Sequence, residues 1–121
     1  MQPKDKLHLE NILVHCSDID EANTEFKIDQ EAVFNNRIRR GVLAIFVEQI
    51  GEESKKLSPE FKEAHPEINW KAAGGMRNYI SHQYFGINPE ILWDTVQNDI
   101  PAIRKLCQDA LNNEANKNNA A

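Results

Sequence analysis

Long apolar runs are missing from this 121-residue chain, and none approaches the roughly 20 residues that a membrane-spanning helix needs. The opening stretch, MQPKDKLHLE, has charge where a signal peptide has its apolar region, so a cytoplasmic protein is the expectation. Cysteine is scarce. Cys16 and Cys107 stand far apart and are not spaced as a metal knuckle, which favours two reduced, buried thiols over a disulfide. Positive charge is in deficit, with 14 Lys and Arg against 19 Asp and Glu and a net charge of -5. That balance argues against a broad basic surface for nucleic acid. It leaves room for a small basic cleft, whose hold on RNA would weaken with salt. Glycine and proline are few and fall mostly between periodic segments, no repeat is visible, and strand-like alternation is absent.

What is present reads as helices. One domain is expected at this length, over residues 1–112, and it can bury a real core. Leu9, Ile12, Cys16 and Ile19 recur on one face of a first helix from about Lys4 to about Asn23. Asp29 is placed to cap a second helix, rich in Val33, Phe34, Ile38, Val42, Leu43, Ile45, Phe46 and Ile50, that can reach Lys56. Gly41 and Gly51 lie inside it and mark close packing or a bend. Ser58-Pro59-Glu60 opens a short helix that His65-Pro66 closes. Asn69 can cap a helix over about Trp70 to Tyr84. Asn88-Pro89 starts the last one, to about Asn112, which Pro101 should kink or split. The tail, 113–121, is polar, low in complexity and expected to be disordered. The fold class is all-α, an antiparallel bundle of four to five helices.

One short stretch, Met76 to Phe85, gathers chemistry. Arg77 has the planar fork that suits phosphate. His82 titrates near neutrality and can move a proton. Asn78 lies four residues before His82, on the same helix face, where it can bond the imidazole and set its tautomer. Arg77 and His82 are five apart, about 140° around an ideal helix, so spacing alone does not bring them together. Arginine plus histidine without a metal suits RNA cleavage by the 2′-hydroxyl. The bland reading of the same residues is a helix with a surface salt bridge and a capping histidine.

Four ordered blocks extend the picture. They are Ile50-Gly51-Glu52-Glu53-Ser54-Lys55-Lys56-Leu57-Ser58-Pro59, His65-Pro66-Glu67-Ile68-Asn69-Trp70, Gly75 through Gly86-Ile87, and Ile91 through Pro101. Together they resemble the HepT-like branch of the HEPN ribonucleases, over most of Ile50 to Pro101; the N-terminal third matches mainly in helical pattern. The resemblance implies a dimerising HEPN-like bundle whose Arg-(x)4-His elements meet at the interface to form an RNase cleft. It carries Arg77 and His82 over as the catalytic pair, with Asn78 supporting. It also implies a toxin whose Tyr84 accepts AMP from a minimal nucleotidyltransferase (MNT) antitoxin, so that added phosphates block the cleft. No cofactor and no metal are implied. Two departures stand out: Gly74, where the family more often has alanine, suggests a looser helix start, and Ser81 stands where valine is common.

Other residues have plainer readings. Ser81 beside His82 is no dyad, because consecutive helix residues point about 100° apart. His8 and His15 lack the companions of a metal site. His65 reads as a helix-end residue. Gly74-Gly75 lacks the Lys-Ser/Thr ending of a phosphate loop. Trp70 and Trp93 read as core or interface anchors, with base stacking as the other use of Trp70. Arg37, Arg39 and Arg40 form a solvated face or line a groove for RNA or an acidic partner; Lys55 and Lys56 read alike. Three readings stay open on these residues: a metal-independent endoribonuclease toxin working as a homodimer, a non-catalytic helical module that partners a nucleotidyltransferase, or a purely structural helical bundle.

Overall fold

Every regular element in the computed structural model, which describes residues 1–119 and of Phe85 only the backbone, is helical. Helix α1 spans Pro3–Thr24 and buries Leu9, Ile12, Cys16 and Ile19, the stripe that the spacing marks. Asp5 continues that stripe into its first turn and is buried too. Its carboxylate accepts the Ser58 backbone N–H at 2.8 Å and the Ser58 hydroxyl at 2.6 Å, so both oxygens are satisfied inside the protein. The chain leaves α1 through Lys27, the one non-glycine residue at positive φ among those described, and Ile28 turns back into the core.

The long second helix expected from Asp29 to Lys56 is two. Helix α2 is Gln30–Asn35 and α3 is Arg37–Lys55, separated by Asn36 in extended conformation. Asparagine offers the backbone a local side-chain bond in place of the helix ladder. Here the Asn36 side chain accepts from the Arg39 N–H and starts α3 afresh. Arg40 then spans the break, donating from Nε to the Val33 carbonyl at 2.7 Å and from Nη2 to the Phe34 carbonyl at 3.1 Å. These are end-of-helix carbonyls of α2 that would otherwise need another donor.

Helices α4 (Pro59–Ala64), α5 (Trp70–Gln83) and α6 (Pro89–Asp94) begin at Ser58, Asn69 and Asn88, whose side chains accept from the first-turn amides as the sequence suggests. A 3-10 turn, Tyr84–Gly86, ends α5. Pro101 acts as expected, but one turn early. A π turn over Thr95–Asp99 precedes it, closed by the Ile100 N–H on the Thr95 carbonyl, and α7 (Ile100–Asn119) runs on from there. The widened turn absorbs the bond and the space that a proline ring denies a regular helix. α7 also extends beyond the expected end near Asn112. Its Glu114 meets the N-terminal ammonium at 3.7 Å, so the start of α1 supports it. Ala120 and Ala121, the end of the expected tail, lie outside the described residues.

α3 is the central element, packed against α1 and α5, and α7 packs on α1. Residue pairs run in opposite order along α3 and α5: Gly41 meets Tyr84 just past the end of α5, Glu48 meets Ser81, Glu52 meets Arg77 and Lys55 meets Gly74. The two helices are therefore antiparallel. Leu43, Val47 and Ile50 of α3 face the core, while Ile38, Val42 and Ile45 face out with 75, 37 and 42% of their surface exposed. No helix among the described residues is long and apolar enough to cross a membrane.

Candidate active site

α5 rides unusually close to α3. A Cβ added to Gly51 would lie 2.9 Å from both the Ala73 carbonyl oxygen and Arg77 Cβ, and 3.1 Å from the Arg77 nitrogen. Two of those three atoms are backbone, which cannot step aside. Gly51 thus permits the approach that brings the side chains of α5 onto the acidic ridge of α3. The buried Ile80 anchors the same helix from its inner face.

Along this seam the polar pairs fall in register. Arg77 forms an ion pair with Glu52, Nε lying 2.9 Å from Oε2. Arg77 Nη1 reaches Asn78 Oδ1 at 3.4 Å, and Lys55 Nζ reaches the same oxygen at 3.4 Å. One turn on, the Ser81 hydroxyl donates to Glu48 Oε2 at 2.8 Å. Glu48 and Glu52 are themselves one turn apart on α3, so one stripe of carboxylates meets one stripe of donors. At the end of α5 the Tyr84 hydroxyl donates to the Gly41 carbonyl at 3.1 Å, and Gly41 leaves just enough room for it.

His82 is exposed in the last turn of α5 and makes no hydrogen bond or ion pair with another described residue. The bond expected from Asn78 to its imidazole is not formed. The Asn78 side-chain oxygen instead lies 3.4 Å from both the Arg77 and the Lys55 nitrogens. Arg77 and His82 do not touch, as their spacing implies. The arrangement offers an arginine paired with Glu52 and only weakly hydrogen-bonded, a lysine beside it, and an accessible imidazole further along α5. Such a set can bind a phosphodiester and exchange a proton with a group beside it.

Glu48 and Glu52 escape a reading of the sequence, because nothing in their own spacing says that α5 lies over them. Gly51 is legible only as close packing with an unnamed neighbour. Of the arginine cluster, Arg37 and Arg39 are exposed at the start of α3, whereas Arg40 is committed to α2. Trp70 donates from Nε1 to the His65 carbonyl at 2.9 Å and meets the Phe61 ring edge-on at 6.1 Å, which is the anchor reading. His8 joins the buried Glu53 at 2.6 Å and ties α1 to α3.

Both cysteines are buried and free. Burial pushes the Cys16 thiol up to about 11, with nearby Arg104 opposing, and the Cys107 thiol up to about 12. Neither supplies a thiolate near neutrality. Among the described residues no group of three or more His, Cys, Asp or Glu side chains is placed to hold a metal ion.

The profile of the family described as "Ribonuclease HepT-like" matches residues 9–110. The chain is 36% identical over 100 residues to "Putative RNase MJ1380" of Methanocaldococcus jannaschii, covering 83% of this chain and 90% of that protein. It is 36% identical over 113 residues to "Putative RNase TTE0752" of Caldanaerobacter subterraneus subsp. tengcongensis, covering 88% and 94%. To "Probable ribonuclease HepT" of Thermococcus cleftensis it is 45% identical over 58 residues, covering 48% and 53%. No solved structure matches it.

Proposed function

We propose, from the premise that this chain belongs to the ribonuclease HepT-like family, that it is a metal-independent endoribonuclease of the cytoplasm, working as a homodimer and serving as the toxin of a toxin–antitoxin pair. The observation that carries the reading is the seating of Arg77. Glu52 pairs with it at 2.9 Å, and its one hydrogen bond among the described residues is a long one to Asn78, which leaves the guanidinium available for a phosphate. His82 stands exposed on the same helix.

In this reading the substrate's 2′-hydroxyl attacks the neighbouring phosphorus and the 5′-oxygen leaves, giving a 2′,3′-cyclic phosphate and a 5′-hydroxyl end. Arg77 stabilises charge on the phosphoryl oxygens. One imidazole takes the 2′-hydroxyl proton and another delivers a proton to the leaving oxygen. One chain has one such histidine in the site, so two chains supply the pair. The outward stripe of Ile38, Val42 and Ile45 continues along α3 beside Gly41, where Tyr84 rests, and is an apolar face for the second copy to cover. Arg37 and Arg39 extend the contact with RNA.

Digestion of total RNA in the presence of chelator tests the assignment. Wild type is expected to cleave and His82→Ala to be inactive; equal cleavage by both would sink it.

The second reading is a binding module that partners an MNT nucleotidyltransferase, and the net charge of -5 favours it. Here the Tyr84 oxygen attacks the α-phosphorus of ATP, pyrophosphate leaves, and the phenolic proton is lost. The hydroxyl must first release the Gly41 carbonyl. Intact mass after incubation with the cognate transferase and ATP tests it, with a gain of AMP expected and abolished in Tyr84→Phe. A toxin silenced at Tyr84 satisfies both readings.

A further inference from the structure

We infer that Lys55 is a second phosphate-binding cation of this site, contacting the RNA backbone beside Arg77; the inference rests on the ribonuclease reading above. Lys55 closes α3 and is exposed. Its stem crosses onto α5 over Gly74, where an added Cβ would lie 2.8 Å from Lys55 Cγ. A side chain at position 74 would contest that path. The glycine that sequence reading takes as a loosening of the helix start therefore seats a lysine stem. The ammonium then ends 3.4 Å from the Asn78 carbonyl oxygen, the atom that Arg77 Nη1 also approaches at 3.4 Å. The two cationic nitrogens are no farther apart than twice that distance.

Left alone, this convergence is unfavourable. Like charges repel, and two long bonds to one neutral oxygen return little. Glu52 neutralises Arg77, but no acid pairs with Lys55 among the described residues. Lys56, Arg104 and Lys105 each have an acidic partner in Glu53, Asp20 and Asp109; what sets Lys55 apart is that its ammonium converges with the Arg77 guanidinium on one oxygen. In an acidic chain, an unneutralised lysine held against an arginine marks a place for an anion. A phosphodiester fits, because its oxygens replace the weak amide contacts with charge-assisted ones. Lysine supplies a point charge without the directional demand of the arginine fork. Lys55 therefore adds hold on the backbone and no preference for a base.

The experiment measures binding without turnover. A single-stranded RNA carrying 2′-O-methyl groups throughout cannot be cut by its own 2′-oxygen. Its affinity is read by fluorescence anisotropy across a KCl series, using the full chain. Lys55→Met is expected to weaken binding and to make the slope of log K against log[KCl] shallower by about 0.7, the loss of one phosphate contact on a single strand. Lys55→Arg is expected to restore both. Lys105→Met, remote on α7, is expected to change neither. Methionine keeps an unbranched stem over Gly74, and a thermal melt checks that the fold is intact. Wild-type affinity and slope in Lys55→Met would overturn the inference and leave the ribonuclease reading standing. Equal losses in Lys55→Met and Lys105→Met would also overturn it, since net charge alone would then account for the effect. No salt-dependent binding by the parent chain would overturn both readings together.

Discussion

Glu52 Oε2 lies 2.9 Å from Arg77 Nε, an ion pair that holds the guanidinium against α3. The guanidinium fork suits bidentate phosphate contact, and on the ribonuclease reading Glu52 positions it without touching substrate.

The first prediction concerns that grip. The pair is about a third exposed on each side, so it contributes little to stability, within about 1 kcal/mol. Misplacing a catalytic group costs far more, and Glu52→Ala is expected to lower kcat for RNA cleavage roughly ten- to a hundredfold. KM and the melting temperature should change little. Glu52→Gln keeps an acceptor oxygen and should recover part of the rate. An unchanged kcat in Glu52→Ala, in a preparation where Arg77→Ala is inactive, would refute the positioning role.

Gly51 carries the second. Its missing side chain faces the Ala73 carbonyl and the Arg77 backbone nitrogen, neither of which can rotate away. Gly51→Ala must push α5 off α3, at a cost of about 1–3 kcal/mol. Alanine is the better helix former, by about 1 kcal/mol, and offsets part of this. A net fall in Tm and a larger fall in activity are expected, because the seam that seats Arg77 opens first. A rise in Tm would show that the helices have room to spare.

Asp5 supports a third. Its buried carboxylate accepts two bonds from Ser58, whose hydroxyl oxygen in turn accepts the first-turn N–H of Phe61. Removing it strands the Ser58 amide in the interior. Hydrogen bonds to charged groups are worth about 1.5–3 kcal/mol, so Asp5→Ala is expected to destabilise by about that amount in urea unfolding. An effect within about 0.5 kcal/mol, the range of an ordinary surface change, would contradict the buried role.

The thiols give the fourth. Burial raises Cys16 from 9.0 to about 11 and Cys107 from 9.0 to about 12. The unfolded chain therefore loses these protons first as pH rises. Stability from this source is complete below pH 9 and declines above it, through the folded values. The slope approaches about 1.4 kcal/mol per pH unit for each thiol. Urea unfolding at pH 8 and pH 10 should show the decline, and Cys16→Ala with Cys107→Ala should flatten it. A wild-type curve no steeper than that of the double variant would refute the linkage.

Much of this protein is legible in one dimension. Helix starts at Ser58, Asn69 and Asn88 follow from side chains that bond amides two or three residues away. The core face of α1 follows from a 3.6-residue period. The proline at 101 announces a disturbance, and the π turn supplies it. These are local effects, settled by neighbours in the chain. The break at Asn36 is local as well, yet a long apolar pattern masks it, since Val33 and Phe34 before it and Ile38 and Val42 after it keep the helical rhythm.

The site divides the same way. Arg77, His82 and Tyr84 stand out by residue type and by resemblance, and their wide angular spacing on one helix is a sequence fact. What surrounds them is not. That Glu52 meets Arg77, that Glu48 meets Ser81, and that Lys55 lies over Gly74 depend on the antiparallel register of α3 against α5. Register is set by the close approach at Gly51 and by burial of Ile80, contacts between segments more than twenty residues apart. Local signals in the chain mark most of the helix starts and the residues that bear chemistry. Only the packing of one helix on another decided which charges those residues face, because no local period encodes what lies across the seam.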